Sequence, residues 1–487
     1  MRQLLTESLL LACAGGLLGI LVALGGVWMV KLFGPSTLPR LQDVGLDWRV
    51  CIFTLSITAM VGILFGVIPA LGATRSDMVE SLKERGQGAA NHANLYLRNT
   101  LIVSEVALAL VLVIASGLLV RTFYRLINVD PGFKASHVLT FEIALPQLKY
   151  PDNARIAKLY QRMIPQLQAL PGVEFAAVTE AVPMGDAPES TGFRIPDHPV
   201  HDVRASPIAN YTIVSPNFFA AIGTPLLRGR NFLETDTADS VPVVIVNEAM
   251  AKKYWPDKDV LGKQVDVPAQ HAPMIIVGVV ADMKHLSMRE DPGPEMYVPY
   301  TQDVWPSMAQ MQIVLRTRSL PESVVGQARA AVQSIDPELP IAKVTTLSTL
   351  TDTSMAQSRF SMLLLGFFAA LALVLALVGI YGVISYSVIQ RKQEIGIRIA
   401  LGAQRRRIFG MILGYGLRMA ALGVVIGLLV SFVVTRAMSS FLYGIRPEDP
   451  VTFVTLSLFL TITVLLACFL PARRAASVDP MRALRTD

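Results

Sequence analysis

Residues 390–407 read Gln-Arg-Lys-Gln-Glu-Ile-Gly-Ile-Arg-Ile-Ala-Leu-Gly-Ala-Gln-Arg-Arg-Arg and lie between two apolar runs, Met362–Val388 and Met411–Val434. Each run exceeds the roughly 20 residues that a helix rising about 1.5 Å per residue needs to cross a bilayer. The stretch between them therefore sits at a membrane surface. It carries six basic residues (Arg391, Lys392, Arg398, Arg405, Arg406, Arg407) against a single acid, Glu394. That excess predicts the cytoplasmic side. Ile395, Ile397, Ile399 and Leu401 make it more apolar than a plain loop. The pattern predicts a short amphipathic helix ended by Gly402. Two readings stay open. In one the oily face meets lipid or a partner; in the other the segment is a positive-inside anchor that only fixes orientation.

The composition agrees with a membrane protein. Of 487 residues, 52% are hydrophobic and 16% charged. The mean hydropathy is +0.49, above the range of soluble chains. The net charge is only +6. The basic residues cluster beside apolar runs, as orientation signals do, which argues against nucleic acid as a partner. Cys13, Cys51 and Cys468 all fall within apolar runs, so the long hydrophilic region has no disulfide framework. Leu9–Phe33 is too long for the apolar part of a cleavable signal, and a second span follows it.

Six runs are long enough to span: about 9–33, 51–73, 100–121, 362–388, 411–434 and 451–470. The loop 74–98 carries Arg75, Lys83, Arg85 and Arg98, and the tail carries Arg473, Arg474, Arg482 and Arg485. Loops 34–48 and 438–450 are poorer in basic residues, with Arg40 and Arg446. Six spans with both termini inside satisfy this asymmetry and place 122–358 outside.

An internal repeat relates residues 1–86 to 409–487. Gly15-x-x-x-Gly19 answers Gly423-x-x-x-Gly427, and Pro69-Ala70 answers Pro471-Ala472. Ala73, Asp77 and Leu82 then answer Ala475, Asp479 and Leu484 in the same register. Glycines four apart share one helix face, so close helix packing is expected at both pairs, against the plainer reading that small residues are common in membrane helices. The span 100–121 also contains Glu105, two helical turns from Arg98. An intramembrane carboxylate is a functional candidate by default, but a structural role is favoured here, reaching the interface or pairing with a basic residue.

The outside region reads as mixed α and β. His137–Leu145 and Val173–Val182 read as strands flanking an amphipathic helix, Asp152–Leu170, whose face is Ile156, Leu159, Met163, Ile164 and Leu167, with a kink expected at Pro165. Met311–Arg316, Pro321–Ile335 and Ile341–Thr345 repeat strand, helix, strand. Between them 204–300 is strand-rich, most clearly at Val243–Val246 and Ile275–Val280.

Glu394-Ile-Gly-Ile-Arg-Ile-Ala-Leu-Gly-Ala403 resembles the signature of the MacB/FtsX superfamily of ABC-transporter permeases. Gly117-Leu-Leu-Val-Arg121 followed by Asp130-Pro-Gly-Phe133 is similar to the duplicated, orphan members of that family. Ile245-Val-Asn-Glu-Ala-Met-Ala251, Tyr254-Trp-Pro256 and Leu261-Gly-Lys263 are similar to the MacB periplasmic core. The resemblance implies an α-helical integral membrane protein with six transmembrane helices and a large mixed α/β periplasmic domain of the MacB core type. It divides the chain into 1–86, the last two helices of a first unit; 87–121, a linker and the first helix of a second unit; 122–358, the periplasmic core; and 359–487, a permease domain with three helices. The opening half of the first unit has no counterpart here, so a truncated, non-functional remnant is one alternative.

Nothing reads as catalytic. Gly262-Lys263 lacks the residues of a phosphate-binding loop, since Gln264 follows and Asp257 stands where the first Gly belongs. His198 and His201 lie in a Pro-containing loop, where a solvated turn is favoured over a metal site. No cofactor is expected, because the resemblance assigns ATP to a separate cytoplasmic ATPase subunit. It implies further partners: the lipid bilayer, a second unit in a dimer, and a periplasmic adaptor or membrane-fusion protein. Met362–Val388 holds no charge and 411–434 only Arg418, which gives a polar path through the bilayer little to line it. The expected function is permease-type mechanical transmission across a bacterial inner membrane, for export or extraction of a hydrophobic or amphiphilic substrate. The alternative is an FtsX-type signalling scaffold acting on a periplasmic partner. In this family the opening stretch contacts the ATPase, which singles out Glu394, Ile395, Gly396, Arg398 and Gly402. The two glycines would allow close approach, and Glu394 and Arg398 would pair with the ATPase.

Overall fold

The computed structural model describes residues 2–34, 45–74, 87–196, 207–256, 258–268, 270, 272–303, 306–390, 392–401 and 404–476. The chain forms two compact units. Met1–Arg125 with Ala356–Asp487 is helical, and Leu126–Met355 is globular.

The helical unit opens with α1 (Arg2–Phe33), α2 (Trp48–Thr74) and α3 (Gln87–Ile127). The globular unit follows: β1 (Val138–Ala144), α4 (Asn153–Gln168), β2 (Val173–Thr179), β3 (Glu189–Gly192), β4 (Ile208–Val214), α5 (Phe218–Ile222) and β5 (Leu226–Gly229). It continues with β6 (Val243–Asn247), α6 (Glu248–Tyr254), β7 (Gln264–Val265), β8 (Met274–Val280), β9 (Glu295–Pro299), β10 (Gln310–Thr317), α7 (Val325–Ile335) and β11 (Ile341–Thr346). Then α8 (Leu347–Gln390), α9 (Lys392–Ala400), α10 (Arg405–Ala437) and α11 (Pro450–Ala476) complete the helical unit.

Eleven strands form one sheet in the order β11-β1-β10-β2-β4-β9-β6-β8-β5, with β3 beside β4 and β7 beside β8. Two pairs are parallel, β4 with β9 and β6 with β8. Both ends of the globular stretch meet in this sheet, since β1 lies between β10 and β11. The expected helix 152–170 is α4. Asp152 caps it, accepting the Arg155 amide at 2.8 Å. The helix continues through Pro165. Its buried face is Ile156, Leu159, Tyr160, Met163 and Leu167. Ile164 packs only partly, and Tyr160 takes the fully buried place.

In the helical unit α3 is the central element. Ile102, Val106, Leu110, Ile114 and Leu118 recur every four residues and are all buried. They join Ile380 and Ile384 of α8, Ile408, Ile412 and Ala420 of α10, and Leu460, Val464 and Cys468 of α11. A four-residue spacing keeps side chains on one helix face, so one stripe of α3 meets all three partners. By length and apolarity five helices among the described residues can cross a membrane: Leu9–Phe33 and the apolar parts of α3, α8, α10 and α11. The run expected at 51–73 is within α2, where the shorter stretch Trp48–Ile63 is the apolar helix over the residues described. Of the six spans expected, five are thus long and apolar enough among the described residues, and the one at 51–73 is not among them.

Candidate functional site

The stretch 390–407 folds as α9 and the start of α10. Ile395 is 2% exposed and Gly396 is buried. Ile395 joins the cluster of Ile384, Ile408 and Ile412. The opposite face is open: Ile397 is 47% exposed and Leu401 82%. These two are four residues apart, as are Glu394 and Arg398, which pair with each other at 2.5 Å. Both of those side chains are half exposed. Such a surface pair contributes only about 0.3–0.5 kcal/mol, so a partner can rearrange it at little cost.

This placement sorts the expected contact residues. Glu394 and Arg398 face outward, and their charges meet within α9. Ile395 and Gly396 face the protein's own core, so a partner would not touch them directly. Gly402, with His198, His201 and Asp257, lies outside the described residues. The isoleucine pattern showed that the segment was apolar but could not say which isoleucines turn inward, because α9 is too short for periodicity to separate its faces.

Beneath α9 lies an apolar recess of about 450 Å³, counting its open mouth, lined by Ile384, Ser387, Val388, Ile395, Met411, Ile412 and Tyr415. Arg398 Nη1 stands 3.1 Å from Met411 Sδ, at its rim. Nearby the Arg98 guanidinium stacks 3.8 Å from the Tyr386 ring centroid, and the Tyr415 hydroxyl hydrogen-bonds Asn99. At the other end of α3, Arg121 engages Asp449 and Thr452, and Arg125 donates to the Gly444 carbonyl. Asp449 also caps α11 by accepting the Thr452 amide at 2.8 Å. The Asp449-Pro450 pair is a helix-start signal that could have revealed this anchor.

Glu105 lies against Gly379 of α8, where a Cβ would overlap its carboxylate. Arg98 is taken by Tyr386 instead of by Glu105. Gly423 and Gly427 do face a neighbour: Cβ atoms there would lie 2.7 Å from Val106 Cβ and 3.0 Å from the Ala107 carbonyl. Gly15 and Gly19 do not, with nothing described within 4 Å of a Cβ at either. The close approach of α1 is one residue on, at Gly16, 3.0 Å from Thr58 Cγ2. The packing expected at Gly15 and Gly19 is thus corrected. Their spacing permits contact, but among the described residues no helix stands opposite.

The globular unit holds ionised pairs that read as structural. Lys149, 2.8 Å away, and the Tyr150 hydroxyl hold the Asp336 carboxyl below the usual carboxylate range. Lys343, at 2.8 Å, does the same for Glu142. Burial alone would lower His285, but Glu295, 2.9 Å from its Nε2, outweighs that and raises it. Glu180 is pushed up to about 7 by burial and, less, by Glu189 and Asp303. Among the described residues no group of three or more His, Cys, Asp or Glu could hold a metal ion.

Residues 100–335 match the model of the MacB-like periplasmic core domain, and 366–480 match that of the FtsX-like permease C-terminal domain. The chain thus carries a MacB-like periplasmic core domain followed by an FtsX-like permease C-terminal domain. The second match contains α9 and its recess. Among relatives, a macrolide export ATP-binding/permease protein MacB of Marinobacter nauticus is 26% identical over 276 residues, 54% of this chain and 41% of that protein. The pyoverdine export ATP-binding/permease protein PvdT of Pseudomonas syringae is 25% identical over 56% of this chain and 42% of its own length. The ABC transporter permease YvrN of Bacillus subtilis is 27% identical, covering 56% and 69%. The chain thus spans about two fifths of the length of the MacB and PvdT relatives. A crystal structure of the periplasmic region of MacB from Actinobacillus actinomycetemcomitans aligns over 47% of this chain and 97% of that one, at 15% identity and a TM-score of 0.32.

Proposed function

We propose that this chain is the permease subunit of an ABC system in a bacterial inner membrane. It carries ATPase-driven motion across the bilayer to its globular unit, for export or extraction of a hydrophobic or amphiphilic substrate. Both termini and α9 are cytoplasmic, six segments span, and the globular unit is periplasmic. Partners are a cytoplasmic ABC ATPase, a periplasmic adaptor and a second unit. One observation carries this reading: α9 is fastened to the bundle through Ile395 and Gly396, yet turns Ile397, Leu401 and the Glu394–Arg398 pair outward. A mere orientation signal needs its Lys and Arg and no exposed apolar ridge. A lever needs both an attachment and a handle.

The test follows from that division. Gly396 is buried, so substituting it disturbs the bundle and cannot isolate docking. Ile397→Asp and Leu401→Asp leave every Lys and Arg in place. Each should insert normally and lose most ATPase co-purification and coupled turnover. Wild-type recovery and turnover in both variants would return α9 to an anchor. Topology has its own check. Cysteines placed singly at Ser190 and Ser477, with the native three removed, should label oppositely with an impermeant reagent. Labelling of Ser477→Cys in intact spheroplasts would reject the arrangement.

A further inference from the structure

In the globular unit the segment 281–294, between β8 and β9, is fastened by two backbone bonds at adjacent residues. The Lys284 amide donates to the Pro131 carbonyl at 3.0 Å, and the His285 carbonyl accepts the Met184 amide at 2.7 Å. Pro131 belongs to the stretch that leads from α3 into the globular unit. That stretch lies tight against the segment. A Cβ at Gly132 would overlap the Asp282 carbonyl, and Thr224 Oγ1 lies 2.8 Å from the Gly132 carbonyl and 3.0 Å from Met283 Sδ. Met184 has φ 61°, a left-handed backbone that a residue with a Cβ rarely adopts, and the bond to His285 helps to hold it there.

The His285 side chain at this fastening is buried against an acid. It is 5% exposed, and its Nε2 stands 2.9 Å from Oε1 of Glu295, itself 2% exposed. Thr212 Oγ1 of β4 donates to the same Glu295 oxygen at 3.0 Å, and Tyr297 of β9, wholly buried, acts on Glu295 as well. The other charged groups around the pair are engaged or face water. On the segment itself Asp282 accepts the Ala249 amide at 2.8 Å, Lys284 Nζ donates to the Glu290 carbonyl at 2.6 Å, Arg289 is half-buried, and Glu290 and Asp291 are exposed. Beyond it, Asp130 accepts the Gly132 amide, and Asp186, past the Met184 turn, faces Lys343. Burial opposes a charge on His285, and Glu295, the charge that acts on it, outweighs burial. A carboxylate as buried as Glu295 is costly without a counter-charge. Histidine is the side chain whose ordinary titration falls between about pH 5 and 8. A neutral imidazole can still turn one N–H toward Glu295, but it no longer offsets the buried charge.

We propose that the His285–Glu295 pair is a pH-sensitive latch, which holds segment 281–294 on Pro131 and Met184 while His285 is protonated and loosens it as the proton is lost. In the opened segment His285 meets water and regains its ordinary value of about 6.5. In the closed segment it is raised above that value. The latch is therefore complete below about pH 6.5 and is lost as pH rises through the higher value of buried His285. It is a property of the chain alone and needs no ATPase, so it stands apart from the permease reading. The periplasmic placement proposed above would only set the pH that the latch meets.

The experiment is amide hydrogen exchange of the full chain in detergent between about pH 5.5 and 8.5, a window around the ordinary histidine value. Rates are corrected for the intrinsic pH dependence of exchange. In wild type, protection of 281–294 and of the Met184 turn should fall as pH rises, by up to about tenfold per pH unit, while β10 stays level. Glu295→Gln removes the buried charge and should keep the segment closed across the range. His285→Gln leaves the carboxylate without a counter-charge and should keep it loosened across the range. A flat wild-type profile would overturn the latch even if neither variant folded. A slope that persists in either variant would overturn it by assigning the titration to another group.

Discussion

The hairpins α1–α2 and α10–α11 are copies in sequence and opposites in packing. Each carries Gly-x-x-x-Gly within its first helix. At Gly423 and Gly427 the backbone of α10 lies so close to α3 that a Cβ would meet Val106 and the Ala107 carbonyl. At Gly15 and Gly19 a Cβ would meet none of the described residues within 4 Å. Small residues lower the cost of close approach, but contact energy comes from the neighbour that fills the space. In the second copy that neighbour is α3. The difference teaches that α3, more than the glycine spacing, organises the helical unit.

The largest effect expected is at that contact. Gly423→Leu and Gly427→Leu would drive a side chain into the side chains and backbone of α3. Overpacking of this kind costs about 1–3 kcal/mol and sometimes more. Both variants should give aggregated protein or a sharply lower thermal midpoint in detergent. Gly15→Leu and Gly19→Leu should purify normally and melt no lower than wild type, since they meet no described neighbour and gain helix propensity. Equal damage in both copies would break the comparison, revealing a partner on α1.

Glu105 and Gly379 test whether α3 is equally specific toward α8. A methyl at Gly379 would overlap the Glu105 carboxylate. Gly379→Ala should lower the thermal midpoint, and Glu105→Ala should relieve it. A coupling of about 1–2 kcal/mol in the double-mutant cycle is expected for groups in direct contact. Additive effects would remove Glu105 from this contact. A smaller effect is expected at the other end of α3, where Arg121 and the cap of α11 share Asp449. Asp449→Ala should cost about 1–2 kcal/mol, the range of a lost N-cap with a partly buried ion pair, read as a lower thermal midpoint. An unchanged midpoint would show that α11 is held by its apolar face alone.

Much of this was legible in the chain. Alternation and apolar runs located β1, β6, β8 and β10, because the strands of a buried sheet must be apolar. The pairing of β4 with β9 and of β6 with β8 was not legible, since parallel partners far apart in sequence leave no local mark. Tyr160 escaped the reading of α4 because its hydroxyl suggests a surface, although it reaches the Met308 carbonyl at 3.5 Å from a buried position. Around α9 the motif located the segment. The split between inward Ile395 and outward Ile397 depends on α8 and α10, which no short pattern contains.

The smallest prediction concerns a close contact inside the first hairpin, at Gly16. A Cβ at Gly16 would lie 3.0 Å from Thr58 Cγ2 and 3.2 Å from its Oγ1. Alanine within a helix gains about 1 kcal/mol over glycine. Thr58 cannot easily yield, because a β-branched side chain in a helix has few rotamers. The gain and the crowding therefore nearly cancel, and Gly16→Ala should leave the thermal midpoint within about 0.5 kcal/mol of wild type. Trimming the methyl by Thr58→Ser should expose the helix gain, so Gly16→Ala with Thr58→Ser should be more stable than Thr58→Ser alone. Gly15→Ala and Gly19→Ala meet no described neighbour and should each stabilise α1 by up to about 1 kcal/mol. Gly423→Ala and Gly427→Ala carry the same helix gain into the wall of α3 and should destabilise. The same substitution would thus change sign between the two copies, from positive at Gly15 and Gly19, through near zero at Gly16, to negative against α3. A fall in stability for Gly15→Ala would mean that a helix covers that face in the assembled protein, and the contrast between the copies would then vanish.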